Sequence, residues 1–445
     1  TIDPIALLIV VVSTVIFIPV GKYTGDLMIE RREKITEAHR IGDYFARIFY
    51  LQDYAGELRT SGIYRLLKKR FATASDEVVD IQKEYAKKTN VLFAVGAIAS
   101  VNIEDLEYEG EIKPSSEKGI HAACYKLRPE IGFVIHTHQA NASVVSALGC
   151  DLNGIEGYSK DIIGDHIAVS AYGLPGTGKL RDGVVAALQR SNSKAVIMKH
   201  HGAVCLGTDY EDAFKVAETL EDVCEEFIIK RYCEVSGKAV ETFTGVVDYI
   251  TDVIKSGNKY KPATEFPACD SSRKGDFFFV GEKDKRAAII DTKSGAWVGG
   301  GEIPDSADMH WEIYKKRPDV NFIRHTKEEN VVAVSRKGKT IKPLLDDFAQ
   351  LCGPVVKTAI FNPNSTLKSS KKVAKALGKR NAVFLKDNGA VCVADNQYNA
   401  EAVELVMEKH AKTAVGAELY AEVKPIGTID AHLMNFIYKI KYSKK

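Results

Sequence analysis

Phe133-Val134-Ile135-His136-Thr137-His138 is an apolar run that reads as a buried strand and ends in two histidines two residues apart. Side chains alternate faces along an extended chain, so His136 and His138 share a face and their imidazoles can converge on one ion. A second apolar run, Ala195-Val196-Ile197-Met198-Lys199-His200-His201-Gly202, ends in another histidine, ahead of a helical pattern beginning near Asp209. Upstream, Pro114-Ser115-Ser116-Glu117 opens a helix running to about Leu127 that leads into the first histidine strand. Three neutral imidazoles plus an open position is how a catalytic zinc is usually held, and a carboxylate outside that shell can move protons. His136, His138 and His201 are therefore the candidate metal ligands, and Glu117 is the candidate acid or base.

Each of these residues also has a plainer use. A carboxylate in the first turn of a helix, such as Glu117, is favoured by the helix dipole by about 0.3–1 kcal/mol without any catalysis. Ser115 or Ser116 could serve only as the N-cap. On a strand His200 faces away from His201 and reads as structural. His121 and His166 have no partner at ligand spacing and read as packed or exposed, and an isolated Tyr158 would be an ordinary core or surface tyrosine. The conjunction, in order and spacing, is what points to chemistry.

That conjunction resembles the class II aldolase and adducin-type domain family, which shows a P-S-S-E segment, an H-x-H pair and then an H-G that ends a strand. Here the steps run from 117 to 136 and from 136 to 201, and the resemblance covers roughly Ile35 to Val235, best from Val91 onward. It implies zinc held by His136, His138 and His201, with Glu117 as the acid or base. It implies that Tyr158, in Glu156-Gly157-Tyr158-Ser159, serves a site from a neighbouring subunit of a homo-oligomer. It also implies a substrate-binding role for Ser115, Ser116 and Gly96. The reaction implied is that of a carbon–carbon lyase (aldolase) acting on a sugar phosphate or related hydroxy-keto compound through a metal-stabilised enediolate. Dehydration, decarboxylation and epimerisation use the same chemistry, although epimerases typically carry Asp where this chain has Glu117. A non-catalytic, adducin-like assembly protein is the alternative from another class.

One departure bears on the substrate. The family's phosphate-cradling G-N-x-S turn is not visible between Asp43 and Asn90, so phosphorylated and unphosphorylated substrates both stay open. Arg59, Arg65, Lys68, Lys69 and Arg70 could replace it, or form a solvated helical face beside Ile63, Leu66 and Leu67.

An internal repeat follows. Arg128-Pro129-Glu130-Ile131-Gly132-Phe133-Val134-Ile135-His136-Thr137 recurs as Arg317-Pro318-Asp319-Val320-Asn321-Phe322-Ile323-Arg324-His325-Thr326, and Lys199-His200-His201-Gly202 recurs as Lys386-Asp387-Asn388-Gly389. In the second copy His138 becomes Lys327, His201 becomes Asn388 and Glu117 falls opposite Ser306, with Asp308 the nearest carboxylate. One histidine cannot hold zinc, so this copy reads as a pseudo-domain used in subunit packing or in completing the first copy's pocket across an interface.

The elements that must position these residues are short apolar strands (Val91 to Val95, Phe133 to His138, Ile167 to Ala171, Ala195 to His200) alternating with helices. Among the latter, Ala213, Phe214, Val216, Ala217, Leu220, Val223 and Phe227 follow i, i+3, i+4 spacing. The fold class is α/β: two tandem class II aldolase-like α/β/α domains, whose mostly antiparallel central sheet is implied by the resemblance alone. The expected division is 1–34, an apolar N-terminal segment; 35–235, the zinc-dependent domain; 236–270, a linker marked by glycines and prolines; 271–430, the pseudo-domain; and 431–445, a tail.

Composition suits a globular enzyme of 445 residues, 45% hydrophobic and 27% charged. A net charge of +2 from 61 basic and 59 acidic residues carries no footprint for nucleic acid. The partner expected instead is a small carbohydrate-like molecule. Eight cysteines form no C-x-x-C pair and read as buried thiols in a reducing, cytoplasmic compartment. Ile5 to Val20 is almost wholly apolar and is followed by Lys22, Arg31, Arg32 and Lys34. It is short for a span, and reads either as a membrane anchor with its basic flank in the cytosol or as an assembly segment.

Overall fold

The first histidine strand, β3 (Phe133–Thr137), does not stand at the end of a parallel array but pairs antiparallel with a strand that begins seventy residues later, β7 (Ala203–Gly207), with His136 opposite Val204 and Thr137 opposite Ala203. These come from a computed structural model, which describes residues 100–109 and 113–442 apart from 258 and 421. The calls on residues 5–20, 59–71, 91–95 and Gly96 lie outside the described residues. Within 1–114, a small hairpin pairs β1 (Ser100–Val101) with β2 (Tyr108–Glu109).

In Ser115–Lys445 the first sheet has five strands in the order β3, β7, β6 (Ala195–Met198), β5 (His166–Ser170) and β4 (Leu152–Asn153). Only the β5–β6 pair is parallel, so the sheet is mostly antiparallel, as the resemblance implied. β6 and β7 are buried along their whole length, as Ala-Val-Ile-Met and Ala-Val-Cys-Leu-Gly runs demand when both faces are covered. One cover is α1 (Lys118–Leu127) with α4 (Gly178–Gln189). The other is α2 (Ala140–Leu148) with α5 (Tyr210–Ser236). The α5 stripe Ala213, Val216, Ala217, Leu220, Val223 and Cys224 is buried, as its spacing predicted. Asp209 caps the helix by accepting from Asp212 N at 2.9 Å, and Gly237 ends it at φ 67°.

The second sheet has eight strands. Its centre repeats the same pairing: β12 (Phe322–Thr326) lies antiparallel to β15 (Ala390–Ala394), with Thr326 opposite Ala390. The other strands are β8 (Asp270–Lys274), β9 (Phe277–Gly281), β10 (Ala288–Asp291), β11 (Trp297–Gly300), β13 (Thr358–Ala359) and β14 (Ala382–Leu385). The helix before β12 is α7 (Ala307–Lys316). Local geometry also recurs: Arg128 and Arg317 end their helices at φ,ψ of −127°,79° and −128°,79°, and His200 and Asp387 both sit at positive φ, 63° and 61°.

Two expectations are corrected. The strand read as Ala195 to His200 stops at Met198, because His200 adopts left-handed backbone in a turn closed by Met198 N to Gly202 O at 2.7 Å. The segment 236–270 is no bare connector. It contains α6 (Phe243–Ser256), whose Phe243, Val246, Val247 and Ile250 are buried at about 1.5–3 kcal/mol each. Beyond it, Ala263 N donates to Asp387 Oδ2 at 2.7 Å and Phe266 N to Asn388 Oδ1 at 3.2 Å, packing the segment onto the second sheet. Gly237, Gly245, Gly257, Pro262 and Pro267 read as a connector and hid the helix, in whose first turn Gly245 lies.

A shared core holds the two sheets' helices together: Val144, Ile228, Phe243, Val334, Phe348 and Met407 belong to one buried cluster. At its centre α10 (Gln397–Ala417) crosses α2 so closely that a Cβ on Gly416 would lie 2.6 Å from Val144 Cγ1. Gly416→Leu is expected to lower unfolding free energy by about 1–3 kcal/mol in urea titration, because a buried contact without free volume cannot accept the added carbons.

Candidate metal centre

Ser115 begins the site. Its Oγ accepts from Glu117 N at 3.2 Å, and Glu117 is the residue before α1, with a carboxylate that makes no bond to its own helix. The capping expected of Ser115 or Ser116 therefore takes the form of a short turn ahead of the helix, and the Glu117 side chain is left free for the pocket. Its Oε2 lies 2.8 Å from His136 Nδ1, and His201 Nε2 lies 3.2 Å from Oε1.

His136 is the fourth residue of β3 and His138 follows the strand's last residue, so the alternation continues one step past the ladder. Their rings stand 4.8 Å apart. His201 arrives from the β6–β7 turn at 4.9 Å from His136 and 4.8 Å from His138. Gly202 permits this approach, since a Cβ there would collide with the Thr137 carbonyl. One ring nitrogen from each histidine lies within 4.8 Å of the others, which is the one such His/Cys/Asp/Glu group of three or more among the described residues.

The donor set fits a divalent cation. His136 Nε2 is buried without a hydrogen-bond partner, a state that costs free energy unless something occupies the space beside it. His201 presents the other half of the fit: its Nδ1 bonds Asp346 Oδ2, the carboxylate–histidine arrangement that fixes tautomer and ring orientation in metal sites.

Asp346 is the residue the sequence did not reveal. It comes from the second half of the chain, 145 positions after His201, and it is fully buried. His200 holds it there: His200 Nδ1 bonds Leu344 O at 2.8 Å, and Asp346 N donates to His200 O at 2.9 Å. Of the two adjacent histidines, one anchors the segment and the other is oriented by it. The only sequence sign was Asp346-Asp347 after Leu344-Leu345, a carboxylate pair on an apolar lead.

The electrostatics follow from these contacts. Burial pushes the His201 imidazole down, but the Asp346 and Glu117 carboxylates override it and hold it up at about 10. Burial alone would raise Glu117; hydrogen bonds from His136 and His201 hold its carboxyl well below the usual range. Asp346 is likewise kept low against burial by the charge of His201. Although the His138 ring reaches solvent, its enclosure, the His201 charge and the Lys409 ammonium push it down to about 3. A cation binding here displaces a proton from His201.

Around the cluster is a cavity of 680 Å³. Ser115 and Ser116 line it with Gly176 and Thr177 on one side, and Asp346, Asp347 and Gln350 on the other. The structure thus brings together Ser115, Ser116, Glu117, His136, His138 and His201. It does not bring Tyr158 to them: that residue is 69% exposed on the helix Gly157–Ile163, with Lys215 Nζ 5.1 Å from its ring centre. His121 is part-buried, and His166 pairs with Asp151 at 3.2 Å.

The second sheet shows the same place filled differently. His325 Nε2 bonds Asn388 O at 2.7 Å, Lys327 Nζ donates to Phe266 O at 2.5 Å, and Asn388 Nδ2 donates to Thr264 O at 3.0 Å.

A sheet covered on both faces by helices, with three imidazoles and a carboxylate gathered at a strand end, defines an α/β protein with a donor set of the kind that holds a metal ion. The chain belongs to the class II aldolase and adducin N-terminal domain family, whose model matches residues 79–228 and 281–415. It is 36% identical over 116 residues to a 5-methylthioribulose-1-phosphate/5-deoxyribulose-1-phosphate aldolase of Escherichia coli O45:K1, covering 26% of this chain and 53% of that protein. It is 27% identical over 164 residues to an L-fuculose phosphate aldolase of Methanocaldococcus jannaschii, covering 36% of this chain and 87% of that one. Among solved structures, an L-fuculose 1-phosphate aldolase aligns at 19% identity and a TM-score of 0.36, over 44% of this chain and 95% of the other. The chain spans about half the length of the first curated relatives it matches.

Asp346→Asn keeps the shape of the contact and removes its charge. It is expected to weaken divalent-metal affinity by about 10–100-fold, read by competition with a chelator.

Proposed function

We propose that the chain is a zinc-dependent carbon–carbon lyase, an aldolase acting on a small carbohydrate-like hydroxy-keto compound. The observation that carries this reading is the meeting of His136, His138 and His201 with the ionised Glu117 carboxylate in one 680 Å³ cavity. The names of the relatives, which are sugar-phosphate aldolases, support the same class and favour a phosphorylated substrate. Zinc held by the three imidazoles would supply a Lewis acid that polarises a carbonyl and offsets negative charge developing beside it.

The chain's own residues do the rest. Glu117, ionised and aimed into the cavity, accepts the proton from the carbon or oxygen whose bond rearranges, and returns it to the product. Ser115 and Ser116, at the exposed lip, offer hydroxyls to the far end of the substrate; for Gly96 there is only the substrate-binding role that the family resemblance implies. Asp346 keeps the His201 ring facing the cavity. Tyr158 lies on the outer surface, so its assigned proton transfer needs a second chain. We therefore propose a homo-oligomer in which each Tyr158 serves a neighbour's site.

The halves 35–235 and 271–430 are proposed as a tandem repeat. The matched pairings of β3 with β7 and β12 with β15, and the shared turn geometry at His200 and Asp387, support this. The second half then acts as the supplier of Asp346. The eight unpaired cysteines support a reducing, cytoplasmic setting. No helix among the described residues is long and apolar enough to cross a membrane.

The test is aldehyde release from a panel of ketose 1-phosphates and unphosphorylated hydroxy-keto acids, with a coupled reductase. Turnover that is lost to a chelator and restored by zinc supports the reading. A metal-replete protein that cleaves none of the panel would sink it.

A further inference from the structure

A second cavity, of 710 Å³, shares no lining residue with the histidine pocket, and its wall is cationic. Lys259, Arg336, Lys337, Lys339, Lys342 and Lys386 line it, against the single lining carboxylate of Glu418. The whole chain carries a formal charge of only +2, so this is a local concentration and not a reflection of composition. Glu418 is occupied by Lys337 at 2.6 Å, and Arg336 Nε lies 3.7 Å from Asp387. Among the described residues Lys259, Lys339 and Lys342 have no carboxylate partner.

The cations stand on a fixed frame. The loop after Arg336 turns at Gly338, φ 61°, and is held from behind by Ile341 N to Val356 O at 2.8 Å, Val356 N to Ile341 O at 2.9 Å and Thr358 Oγ1 to Lys339 O at 2.7 Å. Lys386 approaches from β14's end, where its Nζ bonds the Lys261 carbonyl. Beneath them the floor is apolar, with Ile254, Leu344 and Ala414. Like charges on one concave wall repel each other and focus positive potential into the cavity; an anion with several charges removes both.

We propose that this cavity binds a small oligophosphate, either free pyrophosphate or the diphosphate of a nucleotide. A single orthophosphate would leave most of the wall uncompensated, whereas two linked phosphates bring more negative charge, and the cavity has room for a whole nucleotide. The chain's formal net charge of +2 carries no overall footprint for a nucleic acid.

The experiment is calorimetric titration of the full chain with pyrophosphate and, separately, ADP, after chelation and desalting so that the histidines hold no cation. Saturable binding near one per chain is expected, unchanged in His138→Ala. It should weaken about tenfold or more in Lys339→Glu/Lys342→Glu and weaken steeply with added salt. A milder Lys339→Gln/Lys342→Gln pair, expected to weaken binding several-fold, covers the event that charge reversal unfolds the loop. Equal affinities identify free oligophosphate as the source, and tighter ADP binding identifies the nucleotide, its base resting on the apolar floor. No saturable binding of either, or binding that survives both lysine pairs, overturns the proposal. Binding that disappears in His138→Ala assigns the anion to the histidine pocket and overturns it too. Because the titration uses metal-free protein, its outcome is independent of whether the lyase reading stands.

Discussion

Glu117→Gln is expected to lower kcat by about 10²–10⁴-fold while the protein keeps its metal and its fold. The substitution is nearly isosteric and leaves the backbone bond to Ser115 untouched, so the turn before α1 persists. What it removes is a proton acceptor. The carboxylate is buried, makes no bond to its own helix, and reaches His136 at 2.8 Å and His201 at 3.2 Å, so nothing about its placement serves the helix dipole alone. KM should change much less than kcat, since a proton transfer is felt in the transition state and the substrate is held elsewhere. Elemental analysis and thermal unfolding of the same preparation exclude loss of metal or fold as the cause. An unchanged kcat at full metal content would return Glu117 to the role of an ordinary first-turn carboxylate.

Local pattern made the cluster of three histidines legible, and long-range contact hid its support. His136 and His138 were visible because strand alternation is a two-residue rule, and His201 because an apolar run ending in His-Gly marks a strand and its turn. The cores of β6 and α5 were visible too, β6 from a continuous apolar run and α5 from its i, i+3, i+4 period, whereas β7 was not read as a strand. His200 was read correctly as structural, but for a reason that does not hold. It does not face away on a strand; it sits at φ 63° in a turn and ties down the segment carrying Asp346. No periodicity links residues 145 positions apart, so Asp346 could not be placed beside His201 from the sequence. The same limit applies to α6, an amphipathic helix set between glycines, whose burial depends on helices from both halves of the chain. That Lys327 and Asn388 stand where a ligand pattern would need histidines was legible; that Asp346, from the same half of the chain, would meet His201 was not.

His138→Ala is expected to reduce bound zinc from about one per chain to less than about 0.2 after dialysis at micromolar metal. Four-ligand structural zinc sites are worth about 10–16 kcal/mol in apparent binding, so one leg of such a site contributes on the order of 3 kcal/mol, or roughly a hundredfold in affinity. His138 is the leg to remove because its ring reaches solvent and makes no hydrogen bond on which the fold depends, whereas His201 is locked between Asp346 and Glu117. Deleting His201 would leave two buried carboxylates facing each other, and the resulting instability, about 3–5 kcal/mol for a broken buried pair, would confuse the readout. In His138→Ala the remaining imidazoles keep their places, so a loss of metal reports coordination alone. Wild-type protein with no bound divalent ion after purification in zinc, or a variant that binds zinc as tightly as wild type, would show that the three rings are packed together without serving as a metal site. Adding imidazole in excess gives a further discriminator: a free ring entering the vacated position should restore part of the metal affinity in His138→Ala and leave wild type unchanged.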